Sequence, residues 1–195
     1  PVKQILGASD TSFHGMGRED IDVRCLGSGR PFVLEIKNPR LREFELSKIE
    51  EKINSNKPEK VRVNSLKWCT KKDVSRVKET RSEESYTIRF KVDNPISEQE
   101  AVKSIEALSG VTLEQETPKR VSHRRAAKTR KRRVTSISNI LVEEDEIQFS
   151  LRCEAGTYVK ELVHSDEGRT SPSVSSVIER ECVVLWLDVD EIHAD

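Results

Sequence analysis

Three stretches of this 195-residue chain carry side chains whose types and spacing could do chemistry. The first, HGMGREDIDVRCLGSGRPF from His14 to Phe32, clusters Arg18, Glu19 and Asp20 where a loop containing Gly15 and Gly17 meets an alternating apolar run. Glycines allow the tight backbone such a loop needs, and a carboxylate held there beside a cation can serve as nucleophile or general base. An aspartate at a strand start is more often a turn residue, so spacing alone leaves both readings open. The G-x-G-R pattern is not a dinucleotide fingerprint, because a strand and not a helix is expected to follow it. The second stretch, Ala155 to Ser176, turns through Gly156-Thr157-Tyr158 into a helix start, bringing Tyr158 and Lys160 near one strand end with Leu162 on the apolar side. Tyr158 reads equally as a core aromatic and as a contact surface. The third, Lys119 to Arg133, holds nine bases and no acid in fifteen residues.

That run changes the meaning of the overall charge. The chain has 34 Lys and Arg against 34 Asp and Glu, a formal net charge of zero. With nine bases confined to Lys119–Arg133, the remainder is minus nine. Charge runs are often solvated loops, but this one lies between structured elements and is interrupted by Val121, Ala126, Ala127 and Val134. It is expected to form a hairpin or helix presenting bases to a polyanion, where counterion release rewards each contact. The surplus acids elsewhere, including the tetrad Glu143–Glu146, would discourage binding outside it.

The elements that must position these groups read as α+β. Apolar alternation predicts strands at Ile21–Cys25, Phe32–Ile36, Tyr86–Val92, Ile147–Cys153 and Val183–Leu187, and Val61 and Val63 suggest a further strand near Leu66 to Cys69. Gly27-Ser28-Gly29 reads as a hairpin turn joining the first two. Helical spacing of Leu46, Ile49 and Ile53 predicts an amphipathic helix over 44–53. Ser97 and Glu100 form a capping box opening a helix that carries Ala101, Ile105 and Leu108 and stops at Gly110. Thr70 to Ser85 reads as a polar loop. Helices are expected on one face of a mostly antiparallel sheet. No apolar run approaches the roughly 20 residues that span a bilayer. Cys25, Cys69, Cys153 and Cys182 lie far apart with no metal-ligand spacing, so four reduced thiols in a cytoplasmic protein are expected, Cys25 and Cys153 buried.

Taken together, GREDIDVRCLGSGRPFVLEIKNPR, VSHRR and GTYVKELVHSDEGRTSPSVSS resemble the catalytic domain of the archaeal and eukaryotic tRNA pseudouridine synthases that modify the T-arm at positions 54 and 55. The likeness runs from about His14 to Val189. It implies the pseudouridine synthase core, a mixed, mostly antiparallel sheet with flanking helices and an active-site cleft across the sheet. It implies that Asp20 is the catalytic aspartate, that Lys160 is the basic residue pairing with it, and that Tyr158 stacks on the target base, with Leu162 in the same pocket. Arg18 could hold the loop or take a phosphate, and Asp22 reads as a structural acid. Arg124, Arg125, Arg130, Arg132 and Arg133 would position a tRNA arm through its phosphates; Arg169 is a further phosphate contact or a structural salt bridge.

The reaction so implied is an isomerisation: the C1′–N1 bond breaks, the uracil turns, and C1′ rejoins C5, without redox change, metal or cofactor. A flipped base needs a flat wall, and its extrusion costs a few kcal/mol. Partners implied are tRNA, with no membrane and no obligate protein partner. The resembled family also carries a large N-terminal accessory domain, and nothing like it occurs in these 195 residues, which open on Pro1 without a Met. The expected organisation is therefore one catalytic domain over 1–195. A non-catalytic tRNA-binding or RNA-chaperone module of the same fold is the alternative.

Overall fold

The computed structural model describes residues 1–194, which divide into two compact units, Pro1–Arg18 with Gly29–Thr80, and Glu19–Ser28 with Arg81 onward. The chain runs from α1 (Val2–Ile5) to β1 (Asp10–Gly15), through a two-residue β2 (Arg24–Cys25), to β3 (Phe32–Lys37). The expected hairpin about Gly27 does not form. β3 pairs antiparallel with β1, an element absent from the sequence reading, in the register Phe13↔Leu34, and β2 belongs to the other unit.

In the first unit α2 (Leu46–Asn56) follows its apolar spacing. Val2, Leu6 and Ile49 are buried together, and Leu34, Ile36, Phe44, Ile53 and Leu66 pack around them. No strand forms from Val61 to Cys69. The Asn54 side chain occupies the Val63 backbone instead, accepting from its N–H at 2.7 Å and donating to its C=O at 2.9 Å. The predicted loop after Thr70 is in fact α3 (Lys71–Glu79). Asp73 caps it by accepting from the Thr70 N–H and hydroxyl at 2.8 and 3.0 Å, a local bond that costs no tertiary partner.

The second unit is built on a seven-stranded sheet in the order β2-β9-β4-β7-β6-β5-β8. Its strands are β4 (Glu84–Val92), β5 (Thr112–Gln115), β6 (Arg130–Glu143), β7 (Glu146–Cys153), β8 (Thr170–Ser171) and β9 (Cys182–Ile192) with β2. Only β2 and β9 run parallel among the described pairs. Tyr86, Ile88 and Phe90 oppose Leu151, Phe149 and Ile147 and are buried with them. Each such side chain contributes about 1.5–3 kcal/mol on leaving water. Their face is covered by α4 (Glu98–Glu106), which meets β6, by α5 (Val159–His164), which meets β9, and by α6 (Val174–Ile178). The Ser97 hydroxyl accepts from the Glu100 N–H, one arm of the expected capping box, while the helix ends at Glu106, short of Leu108 and of Gly110, which takes φ +76° in the turn that follows.

The opposite face is mixed, with Arg89 and Lys91 of β4 beside the exposed Trp186 and Val183 of β9. Arg89 bonds Glu143 and Glu146 at 2.6 Å each, and Lys91 meets Asp145 at 2.6 Å. Three members of the acidic tetrad at the β6–β7 turn are thus paired with two cations of β4. Burial pushes the Cys153 and Cys182 thiols up to about 12, whereas Cys25, expected inside, is half-buried and Cys69 exposed. No helix among the described residues is long and apolar enough to cross a membrane.

The units also divide the charge. The first carries 16 Lys and Arg against 9 Asp and Glu, net plus seven; the second carries 18 against 25, net minus seven. Excess base is therefore not confined to Lys119–Arg133.

Candidate active site

Asp20 is delivered by a strap, Glu19–Ser28, stitched along β9. Arg24 and Cys25 pair with Asp188 and Val189, the Leu26 N–H donates to the Val189 carbonyl at 2.7 Å, and the Ser28 hydroxyl reaches Glu191 at 2.5 Å. Gly27 sits at φ +59° with its backbone so close to β9 that a Cβ would lie 2.0 Å from the Asp190 carbonyl oxygen. Gly27 is required by this close approach and not by a hairpin turn. Upstream the strap bends, the Val23 N–H donating to the Asp20 carbonyl at 3.1 Å. Ile21, expected to point into a core, is exposed there.

The Asp20 carboxylate is about a quarter exposed and meets Arg120 Nη1 through Oδ2 at 2.6 Å. Oδ1 makes no hydrogen bond among the described residues. Arg120 leaves a short 3-10 turn, Lys119–Val121, and its remaining nitrogens grip Glu161: Nε to Oε1 at 2.6 Å and Nη2 to Oε2 at 3.2 Å. Glu161 is 1% exposed. A buried carboxylate is tolerated only when paired, so this two-point bond fixes the guanidinium plane and aims its third nitrogen at Asp20. Burial works against the Arg120 charge, but the bonds to Glu161 and Asp20 outweigh it and hold the guanidinium above its ordinary value.

Lys160, the residue after the α5 start, is placed one step back from the expected pairing. Its Nζ donates to both Asp22 oxygens at 2.8 and 2.7 Å and lies 4.0 Å from Asp20 Oδ2. Asp22 titrates below its usual value chiefly because of the Lys160 bond. The direct partner of Asp20 is thus Arg120, with Lys160 tying the strap to α5 and adding a second positive charge.

Tyr158 caps α5, its backbone clamped by the fully buried Gln115, which accepts from the Tyr158 N–H and donates to its C=O at 2.9 Å each. The ring is half-buried, with the Arg130 guanidinium 6.0 Å from its centroid. Arg130 is itself fixed by bonds of 3.0 Å to the Thr117 hydroxyl and the Lys128 carbonyl. Leu162 is wholly buried and anchors α5 from beneath.

The family model described as "Pus10, C-terminal" matches residues 1–193. The chain belongs to the Pus10 family. It is 43% identical over 193 residues to the tRNA pseudouridine synthase Pus10 of Methanocaldococcus jannaschii, covering 99% of this chain and 42% of that protein. It is 40% identical to that of Pyrococcus furiosus, covering 94% of this chain and 47% of the relative. The chain thus spans less than half the length of these curated relatives. Among solved structures, a crystal structure of a Cbf5–Nop10–Gar1 complex matches with a TM-score of 0.60 at 16% identity, over 98% of this chain and 43% of that one. A structure of an H/ACA RNP bound to a substrate RNA containing 2′-deoxyuridine matches with a TM-score of 0.54 at 13% identity, over 98% and 41%. These establish a shared α+β fold.

Within this Pus10-family chain the basic run is divided. Lys119 pairs with Glu167, Arg120 with Asp20 and Glu161, and Lys131 with Glu114 at 3.5 Å. Arg124, Arg125, Arg130, Arg132 and Arg133, the expected RNA contacts, make no ion pair among the described residues. Arg124 and Arg125 are exposed in a loop whose two ends are drawn together by the Thr117 hydroxyl, donating to the Ala126 carbonyl at 2.7 Å. Arg169 bonds Glu116 at 2.9 Å, which supports its structural reading. Arg18 is exposed and lies in the other unit.

Sequence reasoning missed Arg120, Glu161 and Gln115. Arg120 was one base among nine. Glu161 left a signal: an acid on a helix flanked by Val159, Leu162 and Val163, all buried, has to find a cation.

Proposed function

We propose that this chain is the catalytic part of a tRNA pseudouridine synthase, isomerising uridine in the T-arm at position 54, 55 or both, with Asp20 as the catalytic carboxylate. The observation that carries the reading is Asp20 itself: in the G-R-E-D position of a Pus10-family chain, Arg120 holds one oxygen of a partly exposed carboxylate and the other accepts no hydrogen bond among the described residues. An ionised carboxylate at the target sugar acts as nucleophile at C1′ or base at C2′, and a fixed guanidinium offsets its charge without reorganising during the reaction. After C1′–N1 cleavage and C1′–C5 bond formation, the C5 proton leaves and N1 gains one, so atoms balance with no added reagent. Tyr158 offers the flat wall for the flipped base, while Lys160 and Arg120 supply positive charge. Arg124, Arg125, Arg130, Arg132 and Arg133 would take phosphates of the arm. Such an enzyme would work on tRNA in the cytoplasm.

The test is tritium release from C5-labelled uridine in a T-arm transcript, with pseudouridines mapped afterwards. Wild-type chain should release tritium, and Asp20→Asn should abolish release while binding stays within about twofold. Undiminished turnover by Asp20→Asn would overturn the assignment. Tight tRNA binding with no pseudouridine formed by the wild type would instead favour the non-catalytic RNA-binding reading.

A further inference from the structure

We infer that the first unit carries a second RNA-binding surface, Lys57–Lys78, in which Trp68 offers a stacking platform for an unpaired base. The inference rests on the RNA-directed reading above and adds a contact region that neither the family match nor the basic run assigns.

The observations are three. First, this segment holds eight Lys and Arg against only Glu59 and Asp73, a net of plus six that supplies most of the first unit's plus seven. All eight bases are exposed, and only Arg76 makes an ion pair among the described residues, to Asp73 at 3.1 Å. A cluster left without acid partners self-repels and weakens the folded state, and a polyanion relieves that cost.

Second, Trp68 is 66% exposed although one side packs on Phe44, ring centroids 5.0 Å apart. A protein with nine aromatics, only two of them Trp, here leaves the more exposed Trp open to water in the middle of a basic stretch. Aromatic faces set among phosphate-binding cations are how single-stranded nucleic acid is held without sequence preference.

Third, the segment is irregular yet pinned, which distinguishes it from a solvated tail. The Lys57 carbonyl accepts from Val61 at 3.1 Å, Asn54 clamps Val63, Glu50 accepts from the Leu66 N–H at 3.3 Å, and Asp73 caps α3. Lys60, Arg62, Lys67 and Trp68 are thereby presented from a preformed backbone, so little ordering entropy opposes binding. The open aromatic face favours RNA with unpaired bases over an acidic protein, which would satisfy the cations alone.

The test uses the full chain, with a tRNA transcript, a short oligouridylate and a DNA duplex as probes. Lys60→Ser, Arg62→Ser and Lys67→Ser combined should weaken tRNA binding about tenfold or more at moderate salt and lower the slope of log K against log salt by about two. The thermal midpoint and single-turnover rate at saturating tRNA should not move. Trp68→Ala should weaken oligouridylate binding about tenfold, Trp68→Phe should restore most of it, and the DNA duplex should respond to neither. An unchanged salt slope in the triple variant overturns the proposal. So does a triple variant that loses binding to polyglutamate, used as a fourth probe, while its tRNA binding stays intact, which would mark an acidic-protein site. Because binding is read directly, these outcomes stand apart from whether pseudouridine forms, and Asp20→Asn leaves them unaltered.

Discussion

The two basic segments of this molecule, Lys119–Arg133 and Lys57–Lys78, differ in what neutralises them. The first is denser in sequence, yet Lys119, Arg120 and Lys131 are taken by carboxylates of their own unit. The second is interrupted by apolar and polar residues and is easily overlooked, yet nearly all its charge is unpaired. A base inside a run can be internal machinery, while a base in a diluted segment can face a partner. Charge density in sequence does not tell them apart; the supply of nearby acid does.

The sharpest way to break the comparison is Arg120→Ala. It should remove turnover and, by stranding buried Glu161, cost about 2–3 kcal/mol after allowing for the partial exposure of Arg120, read by chemical denaturation. Arg62→Ala should do neither. If Arg120→Ala raised KM alone, Arg120 would be a phosphate contact like its neighbours. Next in size is Glu161→Gln, which keeps volume but weakens the hold on the guanidinium. We expect kcat to fall about ten- to hundredfold with KM little changed; an effect on KM alone would argue against positioning.

Smaller again is the pair Arg124→Ala with Arg125→Ala. The salt slope of tRNA binding should drop by about one to two with kcat preserved, and a fall in kcat would join these arginines to the machinery. The smallest effect concerns pH. Asp22 titrates below its ordinary value because of Lys160, so its support for the strap is present above the usual carboxylate range and is lost as pH falls through the depressed value. Wild type and Asp22→Asn should differ in thermal midpoint near neutrality, by under about 1 kcal/mol given the exposure of Asp22, and converge in acid. A gap that widened in acid would contradict the sign.

What was legible in the sequence follows from the range of the forces involved. β4, β7 and α4 could be read because alternation or a capping box is written within ten residues, and the buried face of each strand obeys it. α3 was missed because Val74 and Val77 give it one short apolar stripe, although Thr70 and Asp73 spelled out its cap. β2 was assigned the wrong neighbour: Gly27-Ser28-Gly29 imitates a hairpin, but Gly27 answers to Asp190, far along the chain. In the site, Asp20, Tyr158 and Lys160 came from family resemblance. Their geometry did not, because the Asp20–Arg120 and Lys160–Asp22 bonds join residues about 100 or more positions apart, which no local pattern records.

The strap along β9 also sets an order of events during synthesis. Asp20 leaves the ribosome before the strand that seats its strap, through Arg24↔Asp188 and Cys25↔Val189, which is made more than 160 residues later. Contacts of such separation close late in folding. A nascent chain therefore carries its carboxylate unseated until β9 has emerged and paired with β4, and a chain stalled before Cys182 holds the residues of the site without the site. The proposed site is in this way assembled only with completion of the sheet.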